Sequence, residues 1–113
     1  MTDAKKPIEI TSEAQFDEAL KAAPGEVLVD FVLEGCEPCA VDKPKIEALA
    51  SGCDVTVLRV DVDKVAALAD RFNINAMPTL LHSKTAAGMT PKTAKEVEPE
   101  TMAKKLKCAR TKP

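Results

Sequence analysis

Two cysteines separated by two residues, Cys36 and Cys39, are the residues of this chain best suited to chemistry. A Cys-x-x-Cys pair is typical of a dithiol that cycles between reduced and oxidised forms. The pair follows an apolar run over residues 27–33 that carries one carboxylate, Asp30. Because an unpaired charge in a buried strand is costly, we expect Asp30 to have either a partner or a function.

The predicted position of the cysteines defines a role for each of them. Cys36 should occupy the start of a helix, where free backbone N–H groups and the helix dipole stabilise a thiolate and lower the pKa of the thiol. That thiolate would attack a partner's disulfide, and Cys39 would then resolve the mixed disulfide. Cys39 has to lose a proton for this step, and Asp30 is the candidate acceptor, directly or through water.

The role of Asp30 depends on its surroundings, and two readings remain open. Burial raises the pKa of a carboxyl group and favours proton transfer, whereas a bond to the backbone or an ion pair would make Asp30 purely structural. Arg59 lies in the third predicted strand, which should run beside the strand of Asp30. A buried Asp30–Arg59 pair would lower the Asp30 pKa and oppose desolvation, and the sequence does not decide which effect is larger.

The remaining soft ligands, Cys53, His82 and Cys108, include no second Cys-x-x-Cys pair. Structural zinc sites take four ligands, often as two such pairs, so we expect no metal and no cofactor. Cys53 completes an apolar helix face and should be an inert core residue. Cys108 should point away from the inward face of its helix, either as a free thiol or as a partly covered surface cysteine. His82 should be structural.

Hydrophobic periodicity and turn residues predict the elements that position these groups, in the order β-α-β-α-β-α-β-β-α. The predicted strands cover residues 8–10, 27–33, 55–62, 78–82 and 92–97. Ser12 with Gln15 fits a capping box for the first helix, Pro44 lies inside the second, and Asp63 should cap the third. Strands joined by helices run parallel, so we expect an α/β fold with a mixed central sheet flanked by helices.

Length and charge limit the possible functions. A chain of 113 residues with ordinary apolar content is predicted to form a single domain over residues 1–113. The net charge of −2 gives no support for nucleic-acid binding. No apolar run reaches the roughly 18 residues of a membrane span, and the N-terminus lacks the apolar core of a secretory signal. We therefore expect a cytoplasmic protein, and a monomer.

The motifs together resemble the thioredoxin family over most of the chain. Asp30 matches the family's buried aspartate, and Cys36-Glu37-Pro38-Cys39 resembles its active dithiol. The segment 72–79 resembles the family segment that ends in a cis-proline. The resemblance implies a thioredoxin fold and a cis bond between Met77 and Pro78.

The resemblance also implies an activity, namely the reduction of disulfide-bearing proteins by an electron carrier. A thioredoxin-reductase-type donor would reduce the carrier again after each cycle. Arg59 falls where many members have a lysine near the buried aspartate. The implied substrate groove beside Cys36 consists of Gly35, Glu37, Pro38, Met77 and Pro78.

Several residues depart from the family pattern around the dithiol. Val32 and Gly35 stand where the family usually has tryptophan, and the chain has no tryptophan. Glu37 adds a negative charge between the cysteines, which disfavours the Cys36 thiolate. These departures leave two alternatives to a general reductase: a specialised redox carrier with one dedicated partner, and a non-catalytic binding module with the same fold.

Overall fold

The structure, a computed structural model, describes residues 6–108; the first five and last five residues of the predicted domain lie outside the described part. The strands are β1 (Ile8–Ile10), β2 (Val27–Val32), β3 (Thr56–Asp61), β4 (Thr79–Ser83) and β5 (Lys95–Glu96). The helices are α1 (Glu13–Ala22), α2 (Glu37–Gly52), α3 (Ala66–Arg71) and α4 (Pro99–Lys105). The predicted element order and the α/β fold are confirmed.

The strands form one mixed sheet in the order β1-β3-β2-β4-β5. β1 and β2 run parallel to β3, whereas β4 is antiparallel to β2 and β5 is antiparallel to β4. The central position of β2 explains its nearly unbroken apolar sequence, because helices cover both faces. The register places Asp30 opposite Arg59 on β3 and opposite Leu80 on β4.

Each face of the sheet has its own hydrophobic core. The first core packs α1 and α3 on the sheet and includes Phe16, Phe31, Leu58, Leu68 and Phe72. The second packs α2 and α4 on the opposite face and includes Leu28, Ile46, Leu49, Met102 and Leu106. The dithiol helix α2 therefore packs against both the sheet and α4.

The helix caps were predicted correctly for α1 and wrongly for α3. The Gln15 N–H donates to Ser12 Oγ at 3.1 Å, and the side chain of Gln15 accepts a hydrogen bond from the Thr11 N–H at 2.6 Å. Asp63 does not cap α3, whose N-cap residue is Val65 and lacks a side-chain cap. Asp63 belongs instead to the turn after β3, where its N–H donates to Oδ1 of Asp61 at 2.9 Å.

The last strand is much shorter than predicted. Residues 92–94 were expected to belong to it, but they lie in a turn in which the Thr90 carbonyl accepts hydrogen bonds from Thr93 and Ala94 at 3.2 and 2.9 Å. Since these N–H groups are used locally, β5 is limited to Lys95 and Glu96, after which the Val97 N–H donates one further hydrogen bond to the Leu80 carbonyl of β4 at 2.9 Å.

Cys53 is buried in the core and Cys108 is partly covered, as expected, but the expectation that they are separate, unbonded cysteines was wrong, because they form a disulfide with each other. Sequence patterns placed Cys53 in the core and Cys108 on the surface. After α4 the chain returns to the end of α2, where the Asp54 N–H donates to the Lys107 carbonyl at 2.7 Å. This contact sets the two cysteines side by side.

Candidate active site

The Cys36–Cys39 disulfide lies at the N-terminus of α2. Cys36 is the N-cap residue, and the backbone N–H of Cys39 donates to its sulfur at 3.1 Å. Cys36 is half-buried and Cys39 is buried. Because the first turn of a helix has free N–H groups, this geometry stabilises negative charge on the Cys36 sulfur after reduction.

The segment before β4 lies against the Cys36 sulfur. The Met77–Pro78 bond is cis, as the resemblance implied. The Met77 carbonyl oxygen lies 3.8 Å from Cys36 Sγ, and the Thr79 hydroxyl donates to the Ala76 carbonyl at 2.6 Å. Met77 and Pro78 are both half-buried. The structure thus brings the predicted groove residue Met77 next to the dithiol, and Pro78 follows it across the cis bond.

The other predicted groove residues, Gly35, Glu37 and Pro38, form an exposed edge around the disulfide. Gly35 has a φ of 85°, a conformation in which a side chain is strained. The turn is closed by the Cys36 N–H, which donates to the Leu33 carbonyl at 3.1 Å. Glycine therefore suits the backbone at this position, and the surface beside Cys36 is open.

Asp30 is only 3% exposed, and burial raises the pKa of its carboxyl group from 3.8 to about 6. Arg59 lowers this pKa, whereas the negative charges of Asp42 and Glu9 raise it. Desolvation is the largest of these effects. Burial therefore outweighs the opposing charge of Arg59, and the pKa is shifted in the direction that favours the neutral carboxyl group.

The contacts of Arg59 explain why its influence on Asp30 is limited. Its Nη1 pairs with Glu9 Oε2 at 3.0 Å, whereas its Nε lies 3.9 Å from Oδ2 of Asp30. The parallel pairing of β1 with β3 puts Glu9 opposite Arg59, so the guanidinium group has a closer partner on its other side. Arg59 therefore compensates only part of the cost of burying Asp30.

A cavity of about 440 Å³ connects these groups. Cys36, Cys39, Asp30 and Arg59 all border it, and Val32 and Gly35 form part of its wall. Small side chains at these two positions leave this volume free. The cavity is large enough for water to approach both Asp30 and the cysteine pair.

Sequence reasoning missed two groups that act on Asp30. Asp42 raises the Asp30 pKa from α2, and Glu9 does so from β1 while it pairs with Arg59. Glu9 could have been suspected, since it alternates with Ile8 and Ile10 in a strand. Asp42 carried no such signal.

We expect Asp30→Asn to stabilise the protein at neutral pH and to change its pH dependence. Native Asp30 holds its proton up to about pH 6, whereas the unfolded chain releases it near 3.8. Between these values the native state binds more protons, so wild-type stability falls as pH rises. The loss is complete above about pH 6 and amounts to about 3 kcal/mol, at 1.36 kcal/mol per pKa unit.

Urea unfolding at pH 4, 6 and 8 measures this effect. Asp30→Asn should exceed the wild type by about 3 kcal/mol at pH 8 and by much less at pH 4. Asp70→Asn, at an exposed aspartate, is the matched control and should follow the wild type. A constant difference between Asp30→Asn and the wild type at all three pH values would contradict the raised pKa.

His82 lies in β4, and its ring contacts a carboxylate. His82 Nε2 lies 2.7 Å from Glu26 Oε1, in agreement with a structural histidine. Within residues 6–108, no three His, Cys, Asp or Glu side chains cluster so that they could hold a metal ion. In the same part of the chain, no helix has the length and apolar character needed to cross a bilayer.

The family model and the relatives that match this chain all belong to the same family. The family model for thioredoxin matches residues 7–108. The thioredoxin of Chlamydia trachomatis is 36% identical over 75 residues, which cover 66% of this chain and 72% of that protein. Thioredoxin-2 of Saccharomyces cerevisiae is 32% identical over 83 residues, covering 73% of this chain and 80% of its own.

Solved structures agree with this result. The crystal structure of Schistosoma mansoni thioredoxin superposes with a TM-score of 0.73 at 26% identity, covering 89% of this chain and 93% of its own. A mutant thioredoxin from Halobacterium salinarum superposes with a TM-score of 0.75 at 23% identity, over 100% of this chain and 99% of its own. The second comparison supports the fold alone.

Proposed function

The chain belongs to the thioredoxin family, whose members are disulfide oxidoreductases, and we propose that it reduces protein disulfides through Cys36 and Cys39. The observation that carries this proposal is the position of Cys36. At the N-terminus of α2, its sulfur accepts a hydrogen bond from the Cys39 N–H at 3.1 Å. The same sulfur lies 3.8 Å from the Met77 carbonyl oxygen in the cis-proline segment. One face of this sulfur is thus stabilised as a thiolate, and the other lies against the proposed substrate groove.

The proposed reaction has two exchange steps. The Cys36 thiolate attacks one sulfur of the partner's disulfide, forms a mixed disulfide, and releases the other partner sulfur as a thiolate. The Cys39 thiolate then attacks Cys36 Sγ, which closes the Cys36–Cys39 disulfide and releases the second partner sulfur. The partner gains two electrons and two protons, and this chain is left oxidised.

Asp30 is proposed to take the proton that Cys39 must lose before the second step. Its pKa of about 6 brings it closer to the pH at which the enzyme works than an ordinary aspartate would be. Asp30 and Cys39 border the same cavity, so a water molecule there could carry the proton between them. Arg59 modulates this step by favouring the charged carboxylate.

We also propose an electron donor, an oligomeric state and a location for the protein. A thioredoxin-reductase-type donor would reduce Cys36–Cys39 after each cycle, and the protein would act as a monomer in the cytoplasm, where reduced dithiol pools are maintained. Size-exclusion chromatography with light scattering tests the monomer, since a mass near 12.1 kDa is expected.

Insulin reduction with dithiothreitol as the electron source tests the proposed activity. The protein should accelerate precipitation of the insulin chains above the rate with dithiothreitol alone. Protein whose Cys36 and Cys39 have been alkylated after mild reduction is the control and should be inactive. A rate that remains at background would reject the general reductase, and activity above background would dismiss the non-catalytic module.

A specialised carrier with one dedicated partner is the second candidate. It is favoured by the surface around Cys36, where Val32 and Gly35 leave an open cavity and Glu34 and Glu37 add exposed negative charge. A partner with a complementary, positively charged surface next to its disulfide would fit this edge.

Trapping with Cys39→Ser separates the two candidates, because the mixed disulfide on Cys36 then cannot be resolved. A dedicated carrier should accumulate mainly one covalent partner in extracts of its own cell. A broad range of trapped proteins would favour the general reductase.

A further inference from the structure

Helix α2 carries a disulfide at each of its ends. At its N-terminus, the N-cap residue Cys36 is bonded to Cys39. At its C-terminus, the C-cap residue Cys53 is bonded to Cys108, which follows α4. The two disulfides therefore experience opposite ends of the same helix dipole.

The surroundings of the second disulfide disfavour thiolates on both of its sulfurs. Cys53 lies at the end of α2 where unpaired carbonyl groups carry partial negative charge. The sulfur of Cys108 lies 3.5 Å from the Leu106 carbonyl oxygen and 3.9 Å from that of Ala103, at the end of α4. Cys36 also has a carbonyl oxygen near its sulfur, that of Met77 at 3.8 Å, but in addition the Cys39 N–H donates to this sulfur at 3.1 Å.

Charged neighbours do not make thiolates on Cys53 and Cys108 more favourable. Asp54 follows Cys53 and Lys107 precedes Cys108. Both side chains are exposed, carry opposite charges and are screened by solvent. The Cys108 sulfur therefore still faces the Ala103 and Leu106 carbonyl oxygens at the end of α4.

We propose that Cys53–Cys108 is a structural disulfide that stays oxidised while Cys36–Cys39 cycles; the cycling itself rests on the proposed function. To reduce the second bond, a dithiol reductant must attack the sulfur of Cys108, since Cys53 is only 8% exposed. The S–S bond breaks, a mixed disulfide forms on Cys108, and Cys53 departs as a thiolate. The second thiol of the reductant then closes its own disulfide and releases Cys108, so that two electrons pass to the protein.

The first of these steps is slow for a physical reason. Exchange rates depend on how well the leaving sulfur bears negative charge. Cys53 would have to leave as a thiolate from a buried site at a helix C-terminus, which opposes that charge. The difference in dipole energy between the two helix ends corresponds to about a tenfold difference in rate, and burial of Cys53 increases it.

The bond holds α4 on the helix that carries the active dithiol. Met102 of α4 and its C-cap residue Leu106 pack in the same core as Ile46 and Leu49 of α2. Lys45 Nζ pairs with Glu100 Oε2 at 2.6 Å near the other end of α4. The disulfide links the ends of α2 and α4 covalently, so its role in this proposal is to stabilise the fold, and it takes no part in electron transfer.

Timed alkylation tests the proposal on the oxidised full chain. The protein is treated with graded dithiothreitol, quenched with N-ethylmaleimide and analysed by peptide mass spectrometry. Cys36 and Cys39 should be labelled first, and Cys53 and Cys108 at least about tenfold more slowly. In denaturant this order should disappear. Labelling of both pairs at one rate in the native protein, or of Cys53 and Cys108 before any reductant is added, would overturn the proposal.

The double variant Cys53→Ala with Cys108→Ala separates failure of this inference from failure of the proposed function. We expect the folded variant to reduce insulin at the wild-type rate at 25 °C. If the wild type reduces insulin and the folded variant does not, the second pair takes part in exchange and the inference is wrong. If the wild type fails to reduce insulin, the proposed function is wrong, while the order of labelling still tests the second disulfide.

Discussion

Replacing Cys36 by serine is expected to lower insulin reduction to the dithiothreitol background, a loss of at least about 10³-fold. A serine hydroxyl is not ionised at neutral pH and cannot form a disulfide, so no mixed intermediate can arise. Serine is also a favourable N-cap residue, which means that α2 should begin at the same place. The loss would then reflect chemistry and not a change in the helix.

Cys39→Ser is the matched control for this experiment. It keeps the attacking sulfur of Cys36 but lacks the resolving one. When the variant is first reduced and the dithiothreitol is then removed, we expect it to release at most one partner thiol per chain and to stop as a mixed disulfide, visible by mass spectrometry. Sustained turnover by Cys36→Ser would show that the attacking sulfur lies elsewhere in the chain.

Removing the second disulfide with Cys53→Ala and Cys108→Ala is expected to lower the free energy of unfolding by about 4 kcal/mol. The bond joins residues 55 positions apart, so it restricts the unfolded chain strongly. Typical domains are stable by only about 5–15 kcal/mol, and the loss would be a large part of that total. Urea unfolding of the oxidised wild type and the variant measures it.

The pair Cys36→Ser with Cys39→Ala is the control for loop length. It removes a disulfide that joins residues only three positions apart, and the same reasoning gives a loss of less than about 2 kcal/mol. Both variants should still unfold in a single transition. Equal losses in the two variants would show that loop closure does not explain the stability from the second bond.

Local patterns were sufficient for much of the fold and for the core of the site. These patterns involve only residues that are close together in the sequence. They are the apolar run before Cys36, the Cys-x-x-Cys spacing and the prolines at positions 38 and 78. The start of α2 at Cys36 and the order of strands and helices followed from them. The cap of α3 and the extent of β5 were predicted wrongly because turn hydrogen bonds around Asp61 and Thr90 used the same backbone groups.

The sequence by itself determined the position of the dithiol at a helix start, the buried carboxylate behind it and the family. Only the tertiary structure decided the direction of the Asp30 pKa shift, because this depends on burial by the whole sheet and on how closely Arg59 contacts Asp30 and Glu9. Only the tertiary structure paired Cys53 with Cys108, since their contact requires α4 to return to the end of α2. Spacing along the chain carries information about neighbours within a few residues, whereas these two features depend on contacts between distant segments.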